Sequence, residues 1–249
     1  MVCWSETIEN MILTKEDIEK IADYVITDFK KEIGINSHFT PIEKLANDYF
    51  KLPVTFEKLS DDSGFCGVTA YNDTKFKTFA EGKVKLINIS KGQIILDSDF
   101  MREDKKKKLY GKCRFTLAHE VAHQILFQLE SDEEKLKYEK KHSKRIAHTT
   151  RKLKSFEDWN EWQANTLGAA LLMPRGEVEY FIKRYIDAEK TYCDSLCEPF
   201  KISPNSLIDV FSSYFQVSKA AAQIRLKEFG YIEKIIKPLS LDIWRDSNV

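Results

Sequence analysis

The segment from Arg114 to Leu129 constrains the fold of this chain more than any other, because it is apolar on nearly every side. A helix of that pattern belongs inside a core, whereas a surface helix would show a polar face. Two histidines and a glutamate nevertheless stand within it, at His119, Glu120 and His123. Polar groups are costly to bury unless something satisfies them, so the fold must bring a partner to these three residues.

The spacing of the two histidines indicates what that partner is. Residues four apart lie on one face of a helix, so His119 and His123 can bind the same metal ion. Glu120 is next to the first histidine, where it can take a proton from a water molecule that the metal activates. The pattern predicts a zinc site with Glu120 as general base. The alternative is a pair of core histidines that other protein groups satisfy.

A catalytic zinc takes a third protein ligand, and we expect it on a second apolar helix, predicted over Phe156–Met173. Glu161 is the favoured residue, because Asn165 lies one turn further on, where its side chain could fix the tautomer of a ligating histidine. Glu157 and Asp158 stay open as alternatives. They are nearer the helix start, where acidic residues commonly complement the helix dipole.

Capping and turn signals predict the elements before the apolar segment. Thr14 and Gly34 bound a first helix, and Thr40, Pro41 and Glu43 give a second helix its cap, its first-turn proline and its capping-box acid. Short β-prone runs between turn residues then predict a small sheet. The predicted strands are Val54–Leu59, Phe65–Tyr71, Val84–Ile89 and Gln93–Asp97.

Residues 131–154 form a charged block that we predict to be a solvated helical hairpin or a mobile insertion. His142 and His148 lie in it, six apart and therefore not on one helical face, so we do not expect them to be ligands. Beyond Pro174 the chain is periodic, and it predicts a long helix followed by two short helices within Leu207–Phe229. The second short helix would carry the polar residues Lys219, Gln223, Arg225 and Lys227. These are few for a helix that reads DNA, so a packing or partner-docking role is favoured.

The composition sets the class of protein. The 249 residues, 43% of them hydrophobic, suffice for one main core with a small appended region. Lys plus Arg and Asp plus Glu both number 39, so the whole chain has no net charge to attract nucleic acid or a membrane surface. No signal peptide or membrane-spanning run is present, and the five cysteines form no framework, with Cys193 and Cys197 predicted to be buried thiols. We expect a soluble cytoplasmic protein.

Three short sequence blocks resemble the ImmA/IrrE family of metallo-endopeptidases. They read RFTLAHEVAH from Arg114, then EWQAN from Glu161 and ALLMP from Ala170, and the resemblance covers residues 40 to 175. It implies that His119, His123 and Glu161 bind zinc and that Glu120 is the catalytic acid and base. Members of this family act in bacteria and their mobile elements, where they cleave a helix-turn-helix repressor and so release transcription.

Together these features predict an α+β fold, with a mostly helical zincin-like core and a small sheet. Residues 1–175 would form the zinc metallopeptidase domain, and residues 176–249 a helical, helix-turn-helix-like C-terminal region. The predicted function is hydrolysis of peptide bonds in a protein substrate, a repressor or another regulatory protein, without a nucleic-acid partner. The alternative is a non-cleaving anti-repressor, or a DNA-binding regulator with a zinc site.

Two details of the predicted reaction depend on the fold. An extended substrate could add to the sheet along an exposed edge formed by Gln93–Asp97, and the alternative is that these residues form part of a core sheet. A further donor should stabilise the oxyanion of the tetrahedral intermediate. Tyr110, Arg114, Arg175 and several other tyrosines are candidates, and the sequence does not choose among them.

Overall fold

The computed structural model describes residues 13–61, 64–137, 156–197 and 202–232, which divide into two compact units between Pro174 and Arg175. The first unit contains helices and two small sheets, and the second is helical, which confirms the predicted α+β class. Within these ranges, no helix combines the length and the apolar character needed to cross a membrane.

Helix α1, Lys15–Ile33, has the ends that its sequence predicts. The Thr14 hydroxyl accepts a hydrogen bond from the Asp17 N–H, and the Asp17 carboxylate accepts one from the Thr14 N–H, which completes a capping box. Gly34 ends the helix in the left-handed conformation, with φ at 70°, where a glycine has no side chain to strain. The buried face consists of Ile18, Ala22, Val25, Ile26 and Phe29.

The second helix begins differently from its prediction. Helix α2 is a short turn, Ile42–Lys44, which continues as a π-helical turn, Leu45–Tyr49. Thr40 does not cap it, because its hydroxyl donates to a main-chain carbonyl of another helix at 2.7 Å and its own carbonyl accepts a hydrogen bond from Arg114. Glu43 lies 3.3 Å from the same guanidinium and does not close a capping box. The capping prediction was wrong because distant partners use both groups.

The strands of the first unit form two sheets. The strands are β1, Val54–Glu57, β2, Gly67–Thr69, β3, Thr74–Ala80, β4, Lys83–Ile89, and β5, Ile94–Asp97. In the first sheet, β5 is the central strand, parallel to β1 on one side and antiparallel to β2 on the other. The second sheet is the antiparallel hairpin of β3 and β4.

The sheets decide one open alternative and include one strand that was not predicted. Of the two possibilities for Gln93–Asp97, an exposed edge and a core strand, the structure has the second, because β5 is central and its four residues are buried. Strand β3 was not predicted, because its sequence mixes lysine and threonine with phenylalanine and gives a weak apolar signal. It forms because Phe76 packs with Ile89 of its partner strand against Val68 and Ile95 of the first sheet.

Helix α3, Glu103–Leu129, carries the apolar segment and begins well before Arg114. Lysine and leucine favour the helical state in the added turns, and Glu103 and Asp104 complement the dipole of its first turn. A short 3-10 turn, Ser98–Met101, precedes it.

Helix α5, Phe156–Leu172, ends just before Pro174, as predicted. Between α3 and α5, the charged block begins with the short helix α4, Asp132–Lys137. The rest of the block, with His142 and His148, lies outside the described residues.

In its described part, the second unit contains three helices with an aromatic core. The Ser203 hydroxyl caps α7, and Gln216 ends that helix in the left-handed conformation. The ring of Phe211 lies 5.3 Å from that of Phe181 and 4.6 Å from that of Phe215, centre to centre. These features confirm the long helix and the pair of short helices that were predicted. The three are α6, Arg175–Leu196, α7, Pro204–Phe215, and α8, Lys219–Glu228.

Candidate metal centre

Helix α3 places two imidazole rings side by side within the core of the first unit. His119 and His123 are one turn apart and both are buried. Their rings are nearly perpendicular, and their Nε2 atoms lie 3.0 Å apart. The two nitrogens therefore converge as ligands of one metal ion must.

Helix α5 brings the Glu161 carboxylate to the same position. One carboxylate oxygen lies 3.3 Å from Nε2 of His119, and the other lies 3.3 Å from Nε2 of His123. Burial alone would raise the pKa of Glu161, but hydrogen bonds with the two histidines outweigh it and hold that pKa well below its usual value. An ionised carboxylate and two imidazoles within 4.8 Å of one another could hold a divalent metal ion.

The other candidates for the third ligand are not placed by the structure. The side chains of Glu157 and Asp158, and the whole of His142 and His148, lie outside its described part. Among the predicted carboxylates, Glu161 is the one that the described residues bring to the histidines.

The two helices approach closely because α5 carries a glycine where it crosses α3. A Cβ atom on Gly168 would lie 3.1 Å from the main-chain nitrogen of His119 and 3.2 Å from the carbonyl carbon of Ala118. These are backbone atoms of a buried helix and cannot move aside as a flexible side chain could. Gly168 therefore sets the separation at which Glu161 on α5 reaches the histidines on α3.

We expect Gly168→Ala to lower the free energy of unfolding by roughly 1–3 kcal/mol, the usual cost of overpacking a core. It should also weaken metal binding, because any shift of α5 moves Glu161. Chemical denaturation and a metal titration would measure the two effects. Gly176→Ala is the matched control, since no atom lies within 4 Å of a Cβ there and alanine favours the helix. Equal losses in the two variants would contradict this account of the helix crossing.

Glu120 lies where α3 contacts strand β2. It is fully buried, and a Cβ atom on Gly67 would come within 2.9 Å of its Oε1 atom and 3.1 Å of its Cγ atom. The same Cβ would lie 2.7 Å from the side chain of Thr116. The strand can approach the helix this closely because residue 67 is a glycine, and the contact holds the Glu120 carboxylate in place.

The residues that follow β2 contact α3 at the second histidine. The Tyr71 hydroxyl oxygen lies 3.3 Å from Nδ1 of His123. The Gln124 side chain donates to the Ala70 carbonyl at 3.0 Å. Sequence reasoning missed both contacts because the partners are 52 and 54 residues apart and no local pattern connects them.

The structure removes Arg114 and Tyr110 as candidates for stabilising an oxyanion. The Arg114 guanidinium is buried and donates to a main-chain carbonyl at 2.6 Å. Tyr110 is nine residues before His119 on the same helix, about 13 Å away at 1.5 Å per residue. Arg175 belongs to the second unit, where its guanidinium stacks on a phenylalanine ring at 4.6 Å.

The two cysteines of α6 differ from each other. Cys193 is buried, as predicted, whereas Cys197 is exposed at the end of the helix. Among the described residues, the group formed by His119, His123 and Glu161 is the one with three potential metal ligands close together.

Residues 111–227 match Peptidase_M78, the family described as the IrrE N-terminal-like domain. The match includes the four site residues and agrees with the family that the motif blocks resemble. It also continues beyond those blocks into α8. No curated protein matches the chain significantly.

Proposed function

Residues 111–227 match the Peptidase_M78 family, and from that premise we propose that this protein is a zinc-dependent endopeptidase that cleaves a regulatory protein. In this proposal His119, His123 and Glu161 bind the zinc ion, and Glu120 is the general base. The family supports a peptidase, and the cluster of ligands supports a metal ion. The identity of the metal, the reaction of this chain and its substrate are what we propose.

The spacing of the donor atoms is the observation that carries the proposal. Ligands about 2.0–2.1 Å from a tetrahedral zinc ion are about 3.3 Å from one another. The two Nε2 atoms are 3.0 Å apart, and each lies 3.3 Å from an oxygen of Glu161. Two imidazoles and one carboxylate are also a donor set found at catalytic zinc sites, where a further position stays open for water.

The chemistry of the reaction follows from the residues around this position. Zinc held there would polarise the scissile carbonyl and lower the pKa of the attacking water. Glu120 takes the proton as the water oxygen bonds to the carbonyl carbon, and it passes the proton to the amine as the carbon–nitrogen bond breaks. The carboxylate is next to His119 in the chain, and the absence of a side chain at Gly67 leaves room for it against strand β2.

The substrate reaches this site from the side on which Glu161 is exposed. The Glu161 side chain is 39% exposed, whereas His119, Glu120 and His123 are buried. Strand β5 cannot accept a peptide as an added strand, because β1 and β2 already pair with both of its edges. This replaces the predicted route along Gln93–Asp97.

Features of the second unit support a protein partner over DNA. Arg225, one of the predicted reading residues, is 2% exposed, stacks on the ring of Phe229 and lies 3.6 Å from Glu228. Lys219 pairs with Asp209 at 2.6 Å but its side chain is 69% exposed, so it stays accessible. Arg225 is the basic side chain that its own unit occupies, and a helix-turn-helix repressor or similar regulator remains the substrate we propose.

Removing the metal should test the proposed function directly. A chelator should abolish cleavage of the proposed regulator substrate, and about one equivalent of zinc should restore it, because the described residues form one such site. The size of the regulator on a gel and elemental analysis of the protein are the measurements. Magnesium should not restore cleavage, since it prefers an all-oxygen octahedral site. Full cleavage by metal-free protein would refute the proposal.

A further inference from the structure

Tyr71 contacts the outer side of His123, away from the other ligands. The Nε2 atom of His123 lies 3.0 Å from His119 and 3.3 Å from Glu161, while its Nδ1 atom lies 3.3 Å from the Tyr71 hydroxyl oxygen. Tyr71 is 4% exposed, so water does not compete freely for this contact. No feature of the proposed reaction otherwise uses this hydroxyl.

We propose that Tyr71 is a positioning residue of the metal site, an inference that rests on the proposed zinc function. A neutral imidazole has one proton, and a nitrogen that binds zinc must be free of it. Nε2 of His123 faces the other ligands, so the proton must be on Nδ1, where it donates to the Tyr71 hydroxyl oxygen. This hydrogen bond selects the tautomer and fixes the angle of the ring before the metal arrives.

The phenol ring is itself held in place. It stacks on Phe127, with ring centres 4.6 Å apart and planes inclined by 27°. Phe127 is one turn after His123 on α3, so the same helix carries the ligand and the platform for its partner. Gln124, between them, also binds the carbonyl of Ala70, the residue before Tyr71. The hydroxyl is therefore fixed relative to His123 from both sides.

Replacing Tyr71 by phenylalanine tests this role, because the variant keeps the stacked ring and removes only the hydroxyl. We expect the dissociation constant for zinc, measured by chelator competition, to rise about tenfold, the lower end of the ~10–100-fold range for such partners. The visible spectrum of the cobalt-substituted protein should change as well. The melting temperature of metal-free protein should fall only slightly, because the variant loses one hydrogen bond. Tyr185→Phe is the matched control, since it removes a tyrosine hydroxyl that bonds to Ser206 in the other unit.

The possible outcomes separate this inference from the proposed function. If the wild-type protein binds no zinc, both the proposed function and the role of Tyr71 are refuted. Wild-type binding with an unchanged affinity and cobalt spectrum in Tyr71→Phe would overturn the role of Tyr71 alone, and so would a loss of affinity matched by an equal loss of metal-free stability. Nitrogen-15 NMR of zinc-loaded wild-type protein gives a test that needs no variant: His123 should carry its proton on Nδ1, and a proton on Nε2 would end the proposal.

Discussion

The Glu120→Gln protein should bind zinc as tightly as the wild type, keep its fold and cleave its substrate at least roughly 10²–10⁴-fold more slowly, the usual contribution of a general base. The amide has nearly the shape of the carboxylate, so it fits the buried space beside Gly67. It cannot accept the proton of the attacking water. Cleavage followed on a gel and zinc content by elemental analysis would show the two properties separately.

The same variant distinguishes a peptidase from an anti-repressor that binds its target without cutting it. The readout is a reporter driven by the target repressor, together with the length of that repressor. A peptidase should lose derepression with Glu120→Gln, whereas a sequestering protein should be indifferent to the change. Glu103→Gln, an exposed position on the same helix, is the control and should behave as wild type. Derepression by Glu120→Gln with the repressor left intact would favour the anti-repressor.

What the sequence could predict of this site is what a single helix determines. The interval of four between His119 and His123 places both rings on one face whatever surrounds them, and the structure has their Nε2 atoms 3.0 Å apart. The helical ends at Thr14, Gly34 and Ser203 were equally predictable, because each depends on a cap within a few residues.

What the sequence could not predict depends on contacts between elements. Glycine usually destabilises a strand or a helix, so the sequence alone gives no reason for Gly67 and Gly168. Each is needed because α3 packs so closely against it that a Cβ atom would be crowded. The contact between Tyr71 and His123 likewise joins two elements that no local pattern connects. Thr40 does not cap its helix, because its hydroxyl donates instead to a main-chain carbonyl that is distant in the sequence. Local patterns cannot rank a nearby partner against a distant one.

For the third ligand, Glu161, the sequence predicts the helix that carries it but not the packing of that helix against α3. Glu161→Ala should therefore be the most damaging single change on α5 for metal binding. It removes a donor that lies 3.3 Å from both histidines, and two imidazoles alone are a much weaker site. We expect the dissociation constant for zinc to rise by more than the ~10–100-fold typical of residues that only orient a ligand.

Thermal unfolding with and without zinc would measure this loss alongside chelator competition. A metal that binds the folded state raises its melting temperature by mass action, so zinc should stabilise wild-type protein and have little effect on Glu161→Ala. Asn165→Ala, one turn further along α5, is the matched control, and with Tyr71 at the outer nitrogen of His123 we expect it to keep most of the stabilisation. If Asn165→Ala lost more zinc affinity than Glu161→Ala, the third ligand would have to be sought elsewhere on α5, and Glu157 and Asp158 would be the next residues to replace.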